Sequence, residues 1–418
     1  VRRACVVGGG AREHALAHVL SRTADVVVTP GSDGIAADGI EVSSRSPLEV
    51  DADLVVVGPE QPLVDGLADR LRASGRLVVG PGAAGARLEG SKSFMKEVLA
   101  AAGVPSARYG AFDDIAAAAA FIRALGGTVV VKTDGLAAGK GVLVTDDLDE
   151  AVADATAKLD GTSFGDAGRH VVVEEGLAGD EFTLLVLVDG ATAVPLAPAR
   201  DYKRLCDGDR GPNTGGMGAV SPAPGVDDAL TARLMREYVG PTLDELRRRG
   251  IAYCGVLYAG VMVTVDGPRL LEYNVRFGDP EAQVVLPRLA EDAYELLCKV
   301  ATGALGGTAP RFVDDAAVTV VLAAPGYPEQ PSIGQVISGL GDDGQLAGRP
   351  EGVHVFHGAT RRDRGRFVTA GGRAMSVTAF GATVRDARAR AYDAVDAIRF
   401  DGRQARTDVA AVPAEVPS

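Results

Sequence analysis

The strongest constraint in this sequence is a series of short apolar runs, each closed by glycine or proline and separated by helical patterns. Arg3–Gly8 (RACVVG), Asp25–Thr29, Asp53–Gly58 (DLVVVG) and Leu77–Gly80 read as strands, with helices over Arg12–Ser21 and Leu63–Ser74. Strands apolar at nearly every position are buried on both faces, which requires a parallel sheet with helices on either side. Ser91 is placed to cap a further helix that runs through Ala102 and stops at Gly103 and Pro105.

From Asp114 the texture changes. A helix over 115–125 leads into a strand at Thr128–Lys132, a loop (TDGLAAGKG), a strand at 142–145 and a helix at 149–158. Strands at 171–174 and 182–188 flank the segment EEGLAGDE, and 197–225 is a long irregular stretch of the kind that usually carries function. A helix at 228–249 precedes a hairpin (253–265 and 269–275) turned at Asp266-Gly267. Beyond 314, strands at 316–323, 353–357 and 374–380 and a helix at 383–399 predict a small α+β unit, with a peripheral tail after 401. The 418 residues, at roughly 150 per domain, accommodate about three domains. The expected class is α/β and α+β multidomain, divided as 1–102, 103–313 and 314–418.

Charge excludes several functions. With 43 Lys and Arg against 56 Asp and Glu the net charge is −13, which argues against nucleic acid and anionic membrane as partners. Cys5, Cys206, Cys254 and Cys298 form no C-x-x-C unit, and the five histidines complete no zinc spacing; incidental reduced thiols are expected. No apolar run reaches the ~18 residues of a membrane span. The N-terminus runs straight into a strand and shows no signal-peptide pattern, so a cytoplasmic location is expected. Only seven residues are lysine, so a lysine beside glycines hints that a compact ammonium was needed there.

Five segments carry the chemistry. Gly8-Gly9-Gly10 closes the first strand and opens a helix, so its amides and the helix dipole form an anion site. Glu13 breaks the dinucleotide fingerprint; Arg12 and Glu13 either contact a phosphate and a neighbouring polar group or form a solvated first turn. After Lys132, the loop Thr133–Gly141 ends in Lys140 and suits a cover for a triphosphate, without being a Walker A. Glu174-Glu175 at a strand end, with its backbone amides, suits an adenine edge, and Glu181 suits ribose hydroxyls. In LEYNVRFGDPE, period-2 alternation puts Glu272, Asn274 and Arg276 on one face of a strand. Glu and Asn oxygens suit Mg²⁺, and the adjacent Arg276 suits a transferring phosphoryl group. Asn213 and Thr214, with Gly215, Gly216 and Gly218, have the makings of a small polar pocket.

The stretches GAREHAL, GPEQPLV, LEGSKSFMK, DGLAAGKGV, GPNTGGMGAVSPAP and EYNVRFGDPE occur in order along the whole chain. Together they resemble the ATP-grasp ligases, and within them the phosphoribosylamine–glycine ligase family. The resemblance implies a preATP-grasp parallel-sheet domain, a two-part ATP-grasp domain and a C-terminal domain closing the site. It implies an enzyme with ATP as co-substrate and Mg²⁺ or Mn²⁺ as cofactor. The other substrates would be glycine and 5-phosphoribosylamine, joined through a glycyl phosphate in de novo purine biosynthesis, by a monomer. By the same resemblance Lys92, Lys132, Gly139, Lys140 and Gly141 would bind ATP phosphates, with Lys140 also catalytic. Glu174, Glu175 and Leu177 would meet adenine, Glu181 the ribose, and Glu272 and Asn274 the metal. Arg276 would act on the transferred phosphoryl. Gly8, Gly9, Gly10, Arg12, Glu13, Glu60, Asp201, Asn213, Thr214, Gly278 and Asp279 would bind the remaining substrates. Ala11 stands where the family has a further glycine, and Arg200 and Tyr202 where it usually has Gln and His.

Overall fold

The computed structural model describes residues 2–136, 141–163 and 169–411. The apolar runs of the first hundred residues form one parallel sheet, ordered Glu41–Val42, Asp25–Pro30, Arg3–Gly8, Leu54–Val57, Leu77–Val79. Its two faces feed two cores: Cys5, Val7, Val27, Val55 and Val57 on one side, Ala4, Val6, Val28, Leu54 and Val56 on the other. Strand order reverses direction between Arg3–Gly8 and Leu54–Val57. At such a point the loops leaving the strands diverge and open a crevice, here flanked by Gly8–Gly10 and Gly58–Glu60.

Two antiparallel four-stranded sheets follow. One is ordered Tyr109–Phe112, Val171–Glu175, Val129–Thr133, Val142–Thr145, and carries the helices Ile115–Leu125 and Leu148–Leu159. The other is ordered Ala193–Pro195, Asp180–Asp189, Cys254–Thr264, Gly267–Asn274. The hairpin turns at Val265-Asp266, one residue before the expected Asp266-Gly267, and Gly267 already pairs with Thr264. The single helix expected over 228–249 is continuous but not uniform, with a π turn at Met235–Val239 between Asp228–Leu234 and Gly240–Arg248.

The stretch 197–225 is less irregular than its composition predicts. Arg200–Asp201 and Gly218–Ser221 join the C-terminal sheet, ordered with Ala316–Ala323, Arg373–Gly381 and Val353–His357. That sheet therefore draws strands from both sides of the 313/314 division. A hairpin at Thr360–Asp363 and Arg366–Thr369, absent from the sequence-based reading, packs outside it. No helix among the described residues is long and apolar enough to cross a membrane.

The helix Ala11–Leu20 docks the C-terminal sheet on the parallel sheet through histidines. His14 and His18, one turn apart, share a face and meet His354, Phe356 and His357. The His14 Nδ1 accepts the His357 backbone N–H at 2.9 Å, while its Nε2 lies 3.2 Å from Asp38. Burial lowers the pKa of His18 to about 4, with His354 adding to the shift; burial also lowers His357 to about 4. The fold thus keeps these rings neutral. Starting from the ordinary value of 6.5, the stability they carry is complete above that pH and drains away as pH falls toward about 4. Thermal unfolding should begin at lower temperature at about pH 5 than at about pH 7.5. His18→Gln should narrow that difference, as differential scanning calorimetry at the two pH values would show.

Candidate active site

A cleft of about 710 Å³ lies between the two antiparallel sheets and runs back to the crevice of the parallel sheet. Strand alternation brings Glu272 and Asn274 to its wall together, with the Asn274 amide nitrogen 3.4 Å from a Glu272 oxygen. Burial would raise the Glu272 carboxyl, but Lys203, Lys132, Lys92 and Arg276 outweigh it and hold the group down to about 2. The carboxylate is ionised at any working pH. Lys203 stands 3.7 Å from it and also contacts Glu181.

On the opposite side two lysines share one carboxylate, and a third, Lys92, stands beside them. Lys132, on Val129–Thr133, lies 2.8 Å from Glu174; Lys96, on the helix Lys92–Ala102, lies 3.0 Å from its other oxygen. Glu174 is 2% exposed, and although burial raises its pKa the two ammonium groups bring it below the ordinary value. The carboxylate is thus paired with the two lysines, and the backbone of this strand end, which the sequence reading offered to an adenine edge, is not engaged by that pairing. Glu175 is likewise engaged, accepting the Arg108 backbone N–H at 2.8 Å and its Nε–H at 2.7 Å. Lys92, one turn before Lys96, donates to the Gly135 carbonyl at 3.1 Å. Asp134 ties the start of that helix to the glycine loop, accepting from the Ser93 N–H (2.7 Å) and hydroxyl (2.6 Å). Gly141, Leu177 and Glu181 line the cleft as their sequence positions predict, while Gly139 and Lys140 lie outside the described residues.

Arg276 follows the strand Gly267–Asn274 and is fixed from the parallel-sheet side. Its guanidinium lies 2.7 Å from Glu89 and 3.3 Å from Glu60. Burial lowers its pKa, but these carboxylates more than reverse the effect and raise it. Arg12 donates to Glu13 at 2.6 Å and to the Phe277 carbonyl at 3.2 Å, and it reaches the same cleft. Glu13 is 3% exposed, and its second oxygen accepts the Gly10 N–H at 2.7 Å. Both Glu13 oxygens thus have partners inside the first helical turn. The glycines beside it have steric reasons: a Cβ at Gly9 would sit 2.4 Å from the Gly31 carbonyl oxygen, and one at Gly58 2.2 Å from Glu13.

Asp201, Asn213 and Thr214 reach the cleft from the short strands of 197–225. Burial pushes the Asp201 carboxyl well up. The Thr214 hydroxyl is used locally, donating to the Lys203 carbonyl at 2.8 Å and accepting the Gly216 N–H at 3.0 Å. Gly278 is required by Glu281, whose carboxylate a Cβ there would meet at 2.3 Å. Asp279 accepts from Gln283 at 2.7 Å and from Arg373 at 2.9 Å. Sequence reading missed Glu89, Lys96, Glu281 and Arg373 as parts of this region. Lys92 and Lys96 at helical spacing were a usable signal for one face; Arg373, one arginine among many, gave none.

Two opposed antiparallel sheets around a cleft with lysines on one wall and Glu-x-Asn on the other define an ATP-grasp protein. The same fold appears, at 15% identity and a TM-score of 0.72, in the biotin carboxylase domain of the Hydrogenobacter thermophilus 2-oxoglutarate carboxylase, crystallised with MgADP; the likeness covers 97% of this chain and 91% of that one. Family models for the phosphoribosylglycinamide synthetase N domain, ATP-grasp (A) domain and C domain match residues 2–89, 90–282 and 317–412. The chain belongs to the phosphoribosylglycinamide synthetase family. It is 48% identical over 420 residues to the phosphoribosylamine–glycine ligase of Streptomyces coelicolor, covering 97% of this chain and 98% of the relative. The crystal structure of phosphoribosylamine–glycine ligase from Thermotoga maritima superimposes with a TM-score of 0.85 at 33% identity, covering 97% and 99% of the two chains.

The two strand-end glutamates should differ sharply in what they stabilise. Glu174→Gln leaves buried lysines without a counter-charge and should cost about 3–5 kcal/mol. Glu175→Gln at its more exposed pair should cost less than about 1 kcal/mol. Chemical denaturation of the two variants against the parent distinguishes them.

Proposed function

We propose that this chain is a ligase that joins glycine to 5-phosphoribosylamine with cleavage of ATP, forming glycinamide ribonucleotide, ADP and phosphate in purine biosynthesis. The observation that carries the reading is the family likeness over 2–89, 90–282 and 317–412, with a relative of that name aligned over 97% of the chain. The cleft supports it chemically. A carboxylate oxygen of glycine attacks the γ-phosphorus and ADP leaves. The amine nitrogen then attacks the acyl carbon of glycyl phosphate, loses a proton and releases phosphate. Both steps need charge stabilisation away from water, which a lysine-lined cleft between two sheets supplies.

In this reading Lys92 and Lys132 hold ATP phosphates together with the loop carrying Gly139, Lys140 and Gly141. Backbone groups of Glu174, Glu175 and Leu177 meet the adenine, and Glu181 takes the ribose hydroxyls. Arg276 keeps two of its five N–H donors after serving Glu60, Glu89 and the Phe277 carbonyl, and these are turned to the transferred phosphoryl group. Glycine occupies the part of the cleft beside Asp201, Asn213 and Thr214.

ATP-grasp enzymes use ATP with a divalent metal, and the residues present fit one. Glu272 is held ionised and Asn274 stands beside it, giving two hard oxygen donors. No cluster of three or more His, Cys, Asp or Glu side chains among the described residues could hold an ion alone. Phosphates and water would complete the shell, as suits Mg²⁺ or Mn²⁺. When bound, the ion supplies neutralisation of the phosphate charge.

An assay coupling ADP release to ATP, glycine and freshly generated phosphoribosylamine tests the function: ADP should form only with both co-substrates, and glycinamide ribonucleotide should accumulate with it. ADP release without product would refute the reading. Glu272→Ala should lower turnover on the order of 100-fold or more at saturating Mg²⁺. Metal-free nucleotide binding should remain close to the parent's by calorimetry, and near-normal turnover would remove Glu272 from the metal site.

A further inference from the structure

The segment after residue 401, expected to be a peripheral tail, is built into the molecule. Gln404 and Ala323 of the C-terminal sheet exchange backbone hydrogen bonds of 2.8 and 2.9 Å. Tyr392, on the helix Val384–Ala397, donates its hydroxyl to the Arg406 carbonyl at 3.0 Å and accepts the Val409 N–H at 3.1 Å. Between these anchors the Arg406 side chain is buried, and the residue is 1% exposed. Taking a guanidinium out of water is costly unless its donors are paired.

The pairing leads to the cleft wall. Nε and Nη2 form a fork on the Asp408 carboxylate, each bond 2.7 Å, and Nη1 donates to the Asp209 carboxylate at 2.7 Å and the Arg204 carbonyl at 3.2 Å. Arg204 and Asp209 belong to the hairpin of Arg204–Cys206 and Arg210–Asn213, two strands that pair with each other and join no larger sheet. A two-stranded hairpin alone is marginal in water. Leu205 packs it against Met217, Val321 and Ala323, and the hydrogen bonds that leave it run to the C-terminal segment. The Gly208 N–H donates to Asp408 at 2.8 Å, and the Asp207 carboxylate accepts the Thr407 N–H at 2.8 Å together with its hydroxyl. The Arg406 guanidinium also lies 5.0 Å from the centre of the Tyr202 ring, whose hydroxyl accepts the Ala410 N–H at 2.9 Å. Tyr202 separates Asp201 from Lys203, and both of these line the cleft with Asn213 at the far end of the hairpin. Arg406 itself does not line it.

Resting on the reading that glycine lies beside Asp201, Asn213 and Thr214, we infer that Arg406 is a positioning residue for glycine. From outside the cleft it holds Tyr202 and the hairpin 204–213, so that Asp201 and Asn213 are presented to the amino acid in one arrangement. The last described residues of the chain then set affinity for a substrate they never touch. Lys132 and Glu174 stand on a different sheet, so the nucleotide end of the cleft is independent of this clasp.

Hydrogen exchange read by mass spectrometry on the full chain, combined with Michaelis constants, tests this. Arg406→Lys keeps the charge but loses the fork, and amides of 204–213 should exchange ~10-fold faster while those of Ala316–Ala323 keep the parent's rates. The KM for glycine should rise ~10-fold, with ATP affinity within about 3-fold of the parent's. Asp207→Ala cuts the tie from the hairpin side, at a residue that does not line the cleft, and leaves Arg406 paired. It decides the question if Arg406→Lys does not fold, and should show the same split at ~3-fold. Faster hairpin exchange with an unchanged KM for glycine would overturn the assignment and leave the segment a structural anchor. Parental exchange rates in both variants would overturn it too, as would a loss of ATP affinity equal to the loss for glycine. If the parent makes no glycinamide ribonucleotide, the proposed reaction falls by itself, whereas exchange of 204–213 still reports whether Arg406 holds the hairpin.

Discussion

Arg276 ties the molecule together because its charge is neutralised by glutamates on two helices of the N-terminal region. Glu60 leaves the crevice of the parallel sheet, Glu89 ends the helix Ala83–Gly90, and both meet the guanidinium just after the strand that carries Glu272 and Asn274. Glu89 also accepts the Val275 N–H at 2.8 Å, so one carboxylate fixes both side chain and backbone at the end of that strand. A buried guanidinium without such partners would carry a desolvation penalty of several kcal/mol. The parallel sheet and the second antiparallel sheet are therefore held in one relation by electrostatics that fail if either partner moves.

The same rule governs the rest of the cleft, where few charges stand alone. Lys96 and Lys132 share Glu174, Lys203 is set between Glu181 and Glu272, and Arg373 holds Asp279. Before any nucleotide arrives, the carboxylates act as placeholders that keep the ammonium groups extended. A polyanion entering the cleft meets cations already in position, so little side-chain ordering remains to oppose binding.

Much of this could be read from the chain, and the boundary has a physical cause. The Val-rich runs located the parallel strands, because burial on both faces leaves a one-dimensional signature. Period-2 alternation put Glu272 and Asn274 on one face of a strand; Arg276, expected on the same strand, lies past its end yet still lines the cleft, and glycine next to lysine marked Lys132 and Gly141. What failed was partnership at long range. The position of Glu174 at a strand end was visible, but Lys96 and Lys132 as its owners were not, since neither pairs with it by local spacing. Four of the five histidines looked scattered and instead gather where Ala11–Leu20 meets Val353–His357. Strands of two to four residues in 197–225 left too little periodicity to detect; Arg200–Asp201 and Gly218–Ser221 take their register from the C-terminal sheet, while Arg204–Cys206 and Arg210–Asn213 pair with each other.

That shared sheet bears on where the chain tolerates cutting. Gly218–Ser221 pairs on one side with Arg200–Asp201 and on the other with Ala316–Ala323. Ending the protein before residue 314 would strip the inner partner from this strand and leave its amides and carbonyls as an open edge, a template for intermolecular pairing. The glycine-rich segment just before it would lose its anchor in the same stroke. The C-terminal sheet thus behaves less as an appended module than as the second half of a closure, and fusions or split versions of the protein are better placed at the exposed Asp363–Arg366 hairpin tip, where few tertiary bonds cross.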